Sequence, residues 1–166
     1  MKSYTVFALM LVALGAVAQP DIQKSITRQF IEAADGSTID LPAGTFKFDA
    51  SLSIDGKKNL TVRGAGMDKT ILSFKGQTSG AEGIKVTNSS GITIDGLTVQ
   101  DTKGDGVKTQ LVDGITFTDV KAEWTAGPDE KNGGYGLYPV QCTNVLIDRC
   151  VSIGASDAGI YVGQSK

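Results

Sequence analysis

Lys85, Lys108, Tyr138 and Tyr161 each follow the apolar centre of a similar short element. The four elements are Glu82-Gly83-Ile84-Lys85-Val86, Asp105-Gly106-Val107-Lys108-Thr109, Tyr135-Gly136-Leu137-Tyr138-Pro139 and Ala158-Gly159-Ile160-Tyr161-Val162. Two cations followed by two phenols are groups that move protons and neutralise carboxylates. Lys108 and Tyr138 are of the right types for a general base and a general acid, and either lysine can hold an anion. Asp105 and Asp157 fall at or beside the start of the same elements, and Asp129 and Glu130 lie between the second and third. Two carboxyl groups cleave a glycosidic bond when about 5–5.5 Å apart (retention) or about 6.5–9.5 Å apart (inversion). Asp105 and Asp157 are two repeats apart, roughly 10 Å if repeats stack as strands, which is at the margin.

These side chains share a face only if the elements stack, and the spacing says that they do. The centres at Ile84, Val107, Leu137 and Ile160 are 23, 30 and 23 residues apart. A second apolar alternation starts eight residues later each time, at Ile92, Ile115 and Val145. A third short strand follows at Leu97, Val120 and Cys150. The 30-residue repeat is therefore a 23-residue repeat with seven extra residues, within Thr125 to Gly134. A unit of three short strands cannot bury its own apolar face, but stacked units can. The predicted fold is all-β: a single-stranded parallel β-helix over residues 37–166, irregular in its opening turns.

In the first strand of each unit, the centre and the residue two further on point inward, and the one between points out. Lys85, Lys108, Tyr138 and Tyr161 thus form an outward column with about 4.8 Å between rungs. The bend before the second strand carries Asn59, Gly91, Gly114 and Asn144, the two residue types that best tolerate positive φ. The seven-residue insertion re-enters the coil at Tyr135, just before the Tyr138 strand, and is expected to overhang the same face. Trp124 at its entrance is a candidate sugar-stacking ring, with packing of the loop base as its alternative role.

Residues 19–36 are expected to cap the first coil. Asp21 to Asp35 reads as an amphipathic helix, with Ile22, Ile26, Phe30 and Ile31 on one face and Gly36 as terminator. Such a helix would cover an apolar sheet edge that would otherwise invite aggregation. Residues 1–18 read as a signal peptide: Lys2, the apolar run Val6 to Leu14, and Ala16-Val17-Ala18 as a cleavage site. The run is shorter than the about 20 residues that span a bilayer. The expected location is secreted or periplasmic. No cap follows Ile160 to Val162, so the chain is expected to continue beyond Lys166.

"GDGVKTQLVDGITFTDVKA" and "GLYPVQCTNVLIDRCVSIGASDAGIYVGQS" resemble the bacterial parallel β-helix repeat-containing proteins, within the pectin-lyase-like right-handed β-helix group. The resemblance runs from about Ser37 to the end. It implies a right-handed coil and, on one outward face, a groove for an acidic or neutral polysaccharide. Lyases, glycoside hydrolases, uronan epimerases and non-catalytic periplasmic proteins all share this fold. On that footing Lys108, Asp105 and Asp157 are catalytic candidates, and Lys85, Tyr138, Tyr161, Trp124 and Tyr135 are substrate-binding candidates. The chain lacks the Asp-Pro-His-Glu, Gly-His-Gly and Arg-x-Pro-x-x-Arg runs of several enzymes in the group. The rival reading is a non-catalytic envelope scaffold that meets a protein partner through the insertion.

The sequence has no histidine, which excludes His-dependent catalysis and His-ligated metals over these residues. No cofactor is implied. Calcium would find oxygen ligands, but no dense Asp loop gathers them. Without Lys2 the chain has 15 basic and 18 acidic residues and no basic cluster, so nucleic acid is not an expected partner. Cys142 and Cys150 are separated by a strand, too far for a disulfide. Both are expected as free thiols, with Cys150 buried.

Overall fold

The computed structural model describes residues 19–166, so the expected signal peptide lies outside the described residues. Helix α1 (Gln19–Glu32) leads into β1 (Thr38–Asp40), β2 (Gly44–Lys47), β3 (Ala50–Asp55), β4 (Thr61–Arg63) and β5 (Thr70–Ser73). The regular coils follow: β6 (Ser79–Thr87), β7 (Ser90–Gln100), β8 (Val107–Gln110), β9 (Asp113–Glu123), β10 (Tyr135–Val140), β11 (Thr143–Asp148), β12 (Val151–Ile153) and β13 (Ala158–Ile160). Every strand pairing is parallel. The order β3-β6-β8-β10-β13 in one sheet is a stack of first strands, one per coil, in a right-handed solenoid of about five turns.

The register is the one the repeat predicts. Val107 pairs with Ile84 and Leu137, and Leu137 with Ile160. Ile115 pairs with Ile92 and Val145. The second and third strands, expected as separate pieces, run together as the 11-residue β7 and β9 in the two middle coils and are separate in the opening turns (β4, β5) and the last coil (β11, β12). The bend between them persists at Gly96, Asp119 and Arg149, all with positive φ. The opening turns are irregular as expected, with a register shift between Ala50 and Leu52.

Asn59, Gly91, Gly114 and Asn144 have φ of 53°, 62°, 79° and 54°, as the column of Asn and Gly required. The glycines before each centre have a different cause. A Cβ on Gly106 would lie 2.6 Å from the Gly136 carbonyl oxygen and 2.9 Å from the Ala122 Cβ. The first strand therefore approaches the third too closely for any side chain. Inward residues such as Ile84, Val86, Ile94, Val107, Phe117 and Leu137 are fully buried. Each such side chain contributes about 1.5–3 kcal/mol by leaving water.

The helix caps the first coil, with Ile26 and Phe30 buried in the same core. Two details of the expectation are corrected. The helix stops at Glu32, and Ile31 is 66% exposed. Ile22, Ile26 and Phe30 are four apart and share one line; the residue after Phe30 is rotated about 100° off it.

The thiols are also reassigned. Both are free, but Cys142 is the buried one and Cys150 is half-buried. Cys142 points inward at the turn, its sulfur 3.5 Å from the Thr109 hydroxyl. Cys150 extends the buried Leu97–Val120 column, but no described rung lies beyond it. Burial raises the Cys150 thiol pKa above its usual value.

Candidate functional site

The outward column is assembled as the alternation requires. Lys85 and Tyr138 pair in register with Lys108 from either side. Tyr161 follows Ile160, whose partner is Leu137, so it takes the next rung. Val86, Thr109 and Pro139, which follow Lys85, Lys108 and Tyr138, face the core, and this forces the side chains of the column out.

The tyrosines form one cluster. Ring centres of Tyr138 and Tyr161 are 5.5 Å apart and stacked. Tyr135, at the exit of the insertion, reaches into the same cluster, 4.6 Å from Tyr138 and 5.0 Å from Tyr161. The Lys108 ammonium lies 5.0 Å from the Tyr138 ring centre. Three clustered aromatic rings and an ammonium thus occupy one side of the last three coils.

Both lysines of the column have acidic partners three residues earlier in the chain. Lys108 Nζ is 3.7 Å from Asp105 Oδ2, and Lys85 Nζ is 3.8 Å from Glu82 Oε1. Glu82 was missed as a candidate. Its signal was present: it stands two residues before its centre, as Asp105 does before Val107. Half-burial pushes the Asp105 carboxyl above the usual range, opposed by Lys108 and by the Tyr135 N–H, which donates to Asp105 at 3.2 Å.

Tyr135 interacts with both Asp105 and Asp157: its N–H donates to Asp105 and its phenol is hydrogen-bonded to Asp157. That phenol titrates above its usual value, chiefly because its hydrogen bond to Asp157 holds the proton. Asp129 and Glu130 are exposed on the insertion, where Asp129 Oδ1 accepts from the Lys131 N–H at 2.9 Å.

Trp124 is corrected from a sugar platform to a loop anchor. It is 5% exposed, and its Nε1 donates to the Thr102 carbonyl at 2.8 Å. Gly133 packs against it. A ring closed off from solvent cannot stack on a ligand. The rest of the insertion is pinned to the coil. Thr125 N–H donates to Asp101 at 2.7 Å, the Asn132 amide donates to the carbonyls of Gly127 (2.9 Å) and Gly154 (2.6 Å), and Ser156 N–H donates to the Gly133 carbonyl at 3.0 Å.

Among the described residues, no group of three or more His, Cys, Asp or Glu is placed to hold a metal ion. No helix among them is long and apolar enough to cross a membrane.

A family model described as a right handed beta helix region matches residues 49–166. No curated protein and no solved structure matches the chain.

Proposed function

The chain belongs to the right-handed β-helix family, and on that premise we propose that its lysine–tyrosine face binds an extended polysaccharide outside the cytoplasm. One observation carries this reading: the clustered rings of Tyr135, Tyr138 and Tyr161, 4.6–5.5 Å between centres, on the outward side of stacked strands. A stack of rings presents a row of apolar edges and phenol hydroxyls, which suits the alternating C–H and hydroxyl groups of successive sugars. Lys85 and Lys108 continue the row with hydrogen-bond donors. Export rests on Lys2, the run Val6 to Leu14 and the Ala16-Val17-Ala18 site.

Processing of the bound chain, by hydrolase, lyase or epimerase chemistry, would centre on Asp105 and Lys108. They are an adjacent acid and amine on the same face, beside the Tyr138 phenol. Glycan titration of the wild type against Tyr138→Ala and Tyr161→Ala tests the binding. Loss of at least tenfold in affinity is expected in either variant, and unchanged binding would sink the proposal.

A protein partner at the insertion is the second reading. Its support is the pinned base of the loop, which holds the exposed, charged stretch 128–131 in one place. Capture of an envelope protein that needs residues 125–134, but not the tyrosines, would favour it.

A further inference from the structure

By residue type alone the lysines are receptors for carboxylates, because a cationic column on a β-helix suits an acidic chain. Their surroundings offset that charge. Lys85 and Lys108 are each within 4 Å of an acid three residues earlier. Asp157, bonded to the Tyr135 phenol at the other end of the cluster, adds a third carboxylate. Along the face, Glu82, Asp105 and Asp157 outnumber the two lysines.

We propose that this face selects a neutral glycan and turns away polyuronates, a refinement that rests on the polysaccharide-binding reading above. A uronate carboxylate reaching Lys108 would have to share its ammonium with Asp105, whose side chain is only 15% exposed. Drawing Lys108 away would leave the mostly buried Asp105 carboxylate without its cation, and sharing it would crowd two carboxylates at one ammonium; both are costly. The incoming chain would also meet three carboxylates at close range, with only two cations to offset them. A neutral sugar faces neither cost. Its hydroxyls donate to Glu82, Asp105 or Asp157 and accept from Lys85 or Lys108 while both ion pairs stay intact. Its uncharged C–H groups pack along the stacked rings of Tyr135, Tyr138 and Tyr161. The acid–lysine pairs then act as alternating acceptors and donors that set orientation and specificity.

The test is titration calorimetry of the mature protein at low salt. The probes are neutral β-glucan, galactan, mannan and dextran, and acidic polygalacturonate and alginate. A neutral probe binding at least tenfold tighter than either polyuronate supports the inference. A polyuronate binding tighter than every neutral probe overturns it and leaves the polysaccharide reading standing. No binding of any probe overturns both. The folded Glu82→Gln/Asp105→Asn double variant separates charge from shape, because it frees both lysines. It is expected to gain at least fivefold in affinity for polygalacturonate. If circular dichroism shows it folded and it gains nothing, the paired acids are not what excludes the polyuronate, and the inference fails.

Discussion

The Lys108 ammonium lies 5.0 Å from the centre of the Tyr138 ring, one rung along the same outward column, while also contacting Asp105. The contact ties the cationic half of the face to its aromatic half. A double-mutant cycle with Lys108→Met and Tyr138→Leu should give a coupling of about 0.5–1 kcal/mol, the usual range for a cation over an exposed ring. A coupling indistinguishable from zero would mean that the ammonium is held by Asp105 alone.

Gly106 lies where two strands of one coil converge. Gly106→Val should destabilise by about 1–3 kcal/mol or more, because neither the Gly136 carbonyl nor the Ala122 Cβ can swing aside. Gly134→Ala is the control: its Cβ would meet only Asp105 Oδ1, at 3.8 Å, so its midpoint of urea unfolding should stay near that of the wild type.

Asn144 has φ of 54°, and its side-chain amide donates to Asp113 at 2.8 Å. Asn144→Ala forces a Cβ-bearing residue without that bond into the left-handed region, at a cost of about 1–2 kcal/mol. Asn144→Gly relieves the backbone and should recover most of the loss. Thermal midpoints of the two variants check this, and equal midpoints would contradict it.

Three carboxyls are held below their usual value of 3.8: Asp119 by the Arg149 guanidinium, Asp55 by Thr87 and Asn88, and Asp113 by Thr143 and Asn144. A lowered folded pKa contributes stability that is present above the unfolded value and lost as pH falls through the folded one. Asp105 has the opposite sign. Its raised folded pKa makes its contribution least favourable at neutral pH and more favourable as pH falls toward the unfolded value. The unfolding midpoint should therefore drop below about pH 4. Asp119→Asn, which also loses the paired 2.9 Å bonds to Arg149, should be less stable at pH 7 and show a smaller acid loss.

Trp124 is the sole tryptophan, so its fluorescence reports the loop base directly. Its emission should be blue-shifted and weakly quenched by iodide, and glycan should leave both unchanged. Trp124→Phe loses the bond to the Thr102 carbonyl, at about 0.5–1.5 kcal/mol. In the native protein Cys142 should react with a thiol reagent far more slowly than Cys150, and both should react on unfolding.

The coil, its register and the in-or-out direction of each strand residue were legible in the amino-acid order. In a stack of parallel rungs, a residue and its counterpart 23 positions on are neighbours by construction, as Ile84 and Val107 are. The left-handed corners were legible too, because Asn and Gly recur where φ must be positive, at Asn59, Gly91, Gly114 and Asn144. Only the tertiary structure decided which side chains meet across a bend. It turned Ile31 to solvent, buried Trp124 and Cys142, brought Tyr135 into the ring cluster and closed Glu82 and Asp105 onto the lysines. The period sets where each Cα stands, but rotamers and the path of an insertion obey no period. They are set by the space that packing leaves, and so the charge of the face was settled in the fold.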